Sequence, residues 1–152
     1  MEASYLLRSA QPNMTASTEI TYADQIKALL AERGYEVTEA APGVLRVQEL
    51  HSGIAVRAVL EGDILYFSLT CTTVPESAIT PQMMRHMLDA HNGISTSYFQ
   101  LYSAGDGKAA VTLNNFCKLE NLGAEDQDDI LSCVHFLLAD VLAARKLLSG
   151  LV

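Results

Sequence analysis

The order of helical and strand patterns along this chain narrows its fold more than any single motif does. Residues 22–33 carry Tyr22, Ile26, Leu29 and Leu30 on one helical stripe, with Thr21 and Asp24 able to cap its start and Gly34 to stop it. Four strand patterns follow. Residues 35–39 alternate strictly, 44–50 place Leu45 and Val47 on one face, Ile54, Val56, Ala58 and Leu60 line a third strand, and 64–72 a fourth. Turns as short as Pro42-Gly43, His51-Ser52-Gly53 and Glu61-Gly62-Asp63 require antiparallel neighbours, so these strands form a meander. Thr80-Pro81 reads as a helix start over 81–91, burying Met83, Met84, Met87 and Leu88 before Asn92-Gly93. Strands at 98–102 and 108–114 flank Gly105-Asp106-Gly107, a hairpin signal, with Phe99, Leu101, Val111 and Leu113 as core residues. A long helix over 125–149 closes the chain. The class is α+β: an antiparallel sheet in the order α-ββββ-α-ββ-α, packed against helices.

The closing helix is broader in its apolar content than a helix resting on one sheet needs to be. Its core stripe is Ile130, Val134, Leu137, Val141, Ala144 and Leu148. Leu131, Leu138 and Leu142 make a second stripe beside it, while Cys133, Phe136 and Leu147 widen the other flank. Such breadth implies a second contact. Leu131, Leu138 and Leu142 are therefore the candidate dimer or partner contact, because exposed leucine is otherwise a liability.

Length and charge bound the function. A chain of 152 residues reads as one domain, here 19–152, after a flexible tail at 1–18. A net charge of −8 without a basic cluster disfavours nucleic acid and anionic membranes. Cys71, Cys117 and Cys133 form no CxxC and read as reduced thiols, placing the chain in the cytoplasm by default. No spacing assembles a catalytic, cofactor or metal site. His86 and His91 are five apart and diverge on a helix, and His51 and His135 have no ligand-like partner in the sequence. Cys117 has no implied base, so it reads as a small buried residue. The run from Glu125 to Asp129 lacks the layout of a calcium loop and suits a helix start. Met83, Met84 and Met87 suit core packing better than an adaptable binding surface.

Three passages carry a family resemblance. Leu29-Leu30-Ala31-Glu32-Arg33-Gly34-Tyr35-Glu36-Val37 is a leucine-rich helix running into a Gly-Tyr strand start. Met87-Leu88-Asp89-Ala90-His91-Asn92 is a helix end with asparagine, and the hairpin from Phe99 to Leu113 precedes the long helix. Together, from Glu19 to Leu148, they resemble the type III secretion chaperone fold, which is shared with the bacterial sensory transduction regulator family. The strand at 35–39 and its Gly-Tyr start look closer to the regulators. The resemblance implies a bacterial, non-enzymatic, protein-binding homodimer that holds a protein partner along apolar grooves, with no cofactor. The alternative reading is a small-molecule-binding regulatory domain, with its ligand between sheet and helices.

Overall fold

The computed structural model describes residues 22–151, so the proposed tail and the Thr21 cap lie outside the described residues. Helix α1 spans residues 22–32 of these. It ends at Gly34, whose φ of +89° lies in the left-handed region that terminates helices and that a side chain resists. Strands β1 (Tyr35–Ala41), β2 (Val44–Glu49), β3 (Ala55–Glu61) and β4 (Ile64–Pro75) form the expected meander. After a 3-10 turn at Glu76–Ala78 come α2 (Pro81–Leu88), β5 (Tyr98–Gly105), β6 (Lys108–Lys118) and α3 (Ala124–Leu147), and a last 3-10 turn at Leu148–Leu151. The six strands make one antiparallel sheet in the order β1-β2-β3-β4-β6-β5. The second hairpin thus docks on β4 through β6 and leaves β5 at the edge. Its loop is Asp106-Gly107 between the paired Gly105 and Lys108. Both central residues have positive φ, 54° and 71°, the primed turn that Asp-Gly favours.

Alternation along the strands separates two faces. Tyr35, Val37, Leu45, Val47, Val56, Ala58, Leu65, Phe67, Leu69 and Leu113 are buried on one, where α1 contributes Ile26 and Leu30. Helix α3 crosses β4 and β6 on that same face. Its stripe Ile130, Val134, Leu137, Val141, Ala144 and Leu148 is fully buried, as the spacing predicts. Burying each isoleucine, valine or leucine of this stripe contributes about 1.5–3 kcal/mol relative to exposure. Met87, Val111 and Leu148 form a smaller core, with Phe99, Met83 and Leu147 against it.

Several boundaries differ from the sequence reading. Strand β4 runs to Pro75 because a bulge between Thr70 and Thr72 shifts its register, so Val74 turns inward although Leu69 does too. Strand β6 continues to Lys118 past Asn115, which faces the core and donates its amide N–H to the Cys133 carbonyl of α3 at 2.9 Å. Helix α2 ends at Leu88, not His91. Asp89 is extended there, and the Asn92 side chain donates to the Met87 carbonyl at 2.6 Å. Its start is as expected, with the Thr80 hydroxyl accepting from the Met83 N–H at 3.2 Å. Of its four apolar residues only Met87 is buried, and Leu88 is 80 % exposed. Leu101, expected in the core, lies opposite the buried Val111 on the helix side but is 42 % exposed, because among the described residues β5 has no strand beyond it.

Candidate protein-binding surfaces

The three leucines of the second α3 stripe differ in exposure. Leu131 is 7 % exposed within the main core, Leu138 is half-buried against that core, and Leu142 is 66 % exposed. Part of the helix's breadth is used internally: Cys133 enters the main core and Leu147 the smaller one. Asp140, on the same helix, accepts from the hydroxyls of Ser97 at 2.8 Å and Thr96 at 3.1 Å, which ties the segment before β5 to α3.

A second surface surrounds the β5 edge, which the sequence did not single out. Strand β5 reads Tyr-Phe-Gln-Leu-Tyr-Ser-Ala-Gly and carries no charged residue. Tyr98, Leu101 and Tyr102 are exposed along it, and Met84 and Leu88 are exposed on α2. Phe99 joins β5 to α2 by packing in the smaller core. Edge strands in monomeric proteins are commonly blunted by lysine, proline or bulges; this one has no lysine or proline, and its irregularity falls at its far end, between Ser103 and Gly105.

The third surface is the sheet face opposite the helices. It forms an open hollow of about 940 Å³. One row of paired residues crosses it: Thr38, Arg46, Arg57, Ser68, Asn114 and Tyr98. Beside it runs an apolar row, Val44, Val59, Tyr66 and Phe116, whose last two rings lie 6.1 Å apart. Asn114 anchors the floor, buried, donating to the Thr112 hydroxyl at 2.8 Å.

One hydrogen bond shifts the two buried thiols in opposite directions, Cys117 up and Cys133 down, and among the described residues neither has a histidine beside it. Cys117 is buried beside Cys133, and its thiol is pushed up by the hydrogen bond to Cys133, by burial and by Asp129 and Asp126. A thiol held protonated is a poor nucleophile. His51, His86, His91 and His135 are all exposed and dispersed, with His135 beside the Tyr35 ring. Among the described residues no three His, Cys, Asp or Glu side chains converge as a metal-binding group, and no helix is long and apolar enough to cross a membrane.

No family model matches the chain, and no curated protein does. Solved structures do match. YbjN of E. coli, a proposed transcription regulator, aligns with a TM-score of 0.60 at 17 % identity, over 82 % of this chain and 90 % of that one. The fold is chaperone-like. A chain of the heterodimeric complex ExoU–SpcU, from the type III secretion system of Pseudomonas aeruginosa, aligns at 0.54 and 14 % identity, over 80 % and 95 % of the two chains. Both alignments run over at least 80 % of this chain and bear on its fold, which here is α-ββββ-α-ββ-α with the described helices on one face of the sheet.

Proposed function

We propose that this chain is a non-enzymatic protein-binding module, chaperone-like or regulatory, that works as a homodimer in the cytoplasm. The observation that carries the reading is the uncharged β5 edge, with Leu101 and Tyr102 exposed on it and Leu88 and Met84 on the neighbouring α2. An unpaired strand edge offers main-chain donors and acceptors, and the apolar residues around it supply the burial that association needs. Leu142 and the half-buried Leu138 provide a separate apolar contact for a protein partner, with Leu131 supporting them from the core. The likeness to YbjN and to a chain of the ExoU–SpcU complex supports binding over catalysis. A small molecule between sheet and helices is not favoured, because Phe67, Leu69, Leu113, Ile130 and Leu137 fill that space.

Light scattering on the purified chain tests the reading. The wild type is expected at twice the chain mass and Leu101→Lys at the chain mass, with unchanged circular dichroism. A monomeric wild type would remove the dimer. Leu142→Asp is expected to keep the dimer and lose a partner captured by the wild type. Leu142 is a cleaner probe than Leu138, whose replacement by aspartate would also bury a charge.

A further inference from the structure

Two arginines face each other on the bare side of the sheet. Arg46 of β2 and Arg57 of β3 are direct cross-strand partners, both exposed. Like charges placed directly opposite destabilise a sheet. Among the described residues neither arginine has an ion-pair partner, and Arg46 donates only to the neutral Gln48 side chain, at 3.0 Å. The hollow around them reverses the sign of the whole chain. The protein has 18 acidic against 10 basic residues, yet Glu61 is the one acidic residue among those lining this hollow, against two arginines. Exposed aromatic rings share this face: Tyr66 on the next strand is diagonal to Arg57, Phe116 lies one strand further on, and Tyr98 ends the arginine row three strands from Arg57. Arginine and tyrosine are the residues over-represented where binding energy concentrates, and an arginine fork matches a carboxylate in geometry as well as charge.

We propose that the open face of the sheet binds an acidic segment of a partner protein, its carboxylates held across Arg46 and Arg57 and its apolar side chains on Tyr66 and Phe116. The proposal rests on the reading of the chain as a protein-binding module and assigns that module a partner chemistry and a face that meets the β5 edge at Tyr98 and Tyr102. Nucleic acid fits the same arginines and rings less well, because a net charge of −8 repels an extended phosphate backbone.

The test is a fluorescence-anisotropy titration of the full chain into a fluorescein-labelled peptide alternating glutamate and leucine. Binding is expected, weakened about tenfold or more both in the Arg46→Gln/Arg57→Gln variant and for a peptide with glutamine in place of glutamate. Arg46→Lys/Arg57→Lys should fall between, since it keeps the charge and loses the fork. The glutamine variant should melt no lower than the wild type, because it removes a like-charge pair, so lost binding would not reflect lost folding. Equal affinity for the two peptides, an unaffected double variant, or no anisotropy change would overturn the assignment, as would tighter binding of labelled oligo(dT). Peptide failure beside an intact dimer that Leu101→Lys disrupts would sink this assignment alone and leave the protein-binding reading standing.

Discussion

Asp126 and Asn115 are both buried polar side chains, and they differ in how completely they are satisfied. Asp126, in the first turn of α3, accepts the backbone N–H of Glu120 at 2.6 Å and of Leu122 at 2.8 Å. It closes a loop in which Asn121 and Leu122 adopt positive φ. Asn115 makes one bond, to the Cys133 carbonyl, and its Oδ1 has no partner. Asp126→Ala is expected to cost about 1–3 kcal/mol in urea denaturation, whereas Asn115→Leu should stay within about 1 kcal/mol of wild type. The acidic start of α3 was legible in the sequence, but the backward reach of Asp126 was not, since it depends on a left-handed loop no local pattern announces. The thiols add a pH dependence. Burial pushes Cys71 up to about 11, against smaller opposing effects of Arg145 and the Leu113 backbone. Burial, helped by Glu49, also raises the Tyr35 phenol. A raised folded value means that the unfolded chain releases its proton first. The stability contributed is therefore full below the ordinary thiol value and lost as pH rises towards the folded one. The urea midpoint should hold up to about pH 8 and fall above about pH 9, less steeply in Cys71→Ala.

Elements were legible where one period ran unbroken. The meander from Tyr35 to Glu39 and from Val44 to Leu69, and the α3 stripe, obey that condition. Helix α2 does not: its four apolar residues sit at helical spacing, but an eight-residue helix docks a narrow face, and Met87 alone is buried. Met87→Ala should cost about 2 kcal/mol or more, while Leu88→Ala should stay within about 0.5 kcal/mol, both read from chemical denaturation. Strand β6 was cut short in the sequence because Asn115 interrupts the apolar alternation, although an asparagine bonded to a neighbouring helix is compatible with a core-facing position. Strand β4 was cut short because its bulge reverses which positions point inward, so a single period cannot describe it.

For the molecule as a whole, the fold class followed from element order, yet two of the three surfaces did not. Whether β5 or β6 becomes the edge depends on how the second hairpin docks, and no residue in either strand states that. Likewise Arg46 and Arg57 become a pair only through the register of β2 on β3. Net charge acts at this scale too. Two copies at −8 repel each other, and salt screens that repulsion. Dimerisation through the apolar β5 edge should therefore tighten as sodium chloride is raised, which sedimentation equilibrium would show as a falling dissociation constant; weakening with salt would point to a charge-driven interface instead.

Because all three helices lie on one side of the sheet, the strands serve two masters at alternate positions. Inward residues are constrained by packing, while outward ones are open to change without disturbing the architecture. A chain built on this plan can change the exposed outward positions, Arg46 and Arg57 among them, and with them its choice of partner, while the buried Asn114 and Thr112 and the inward half keep the shape. The likeness to YbjN, at a TM-score of 0.60 with 17 % identity, shows one skeleton carried by two very different sequences.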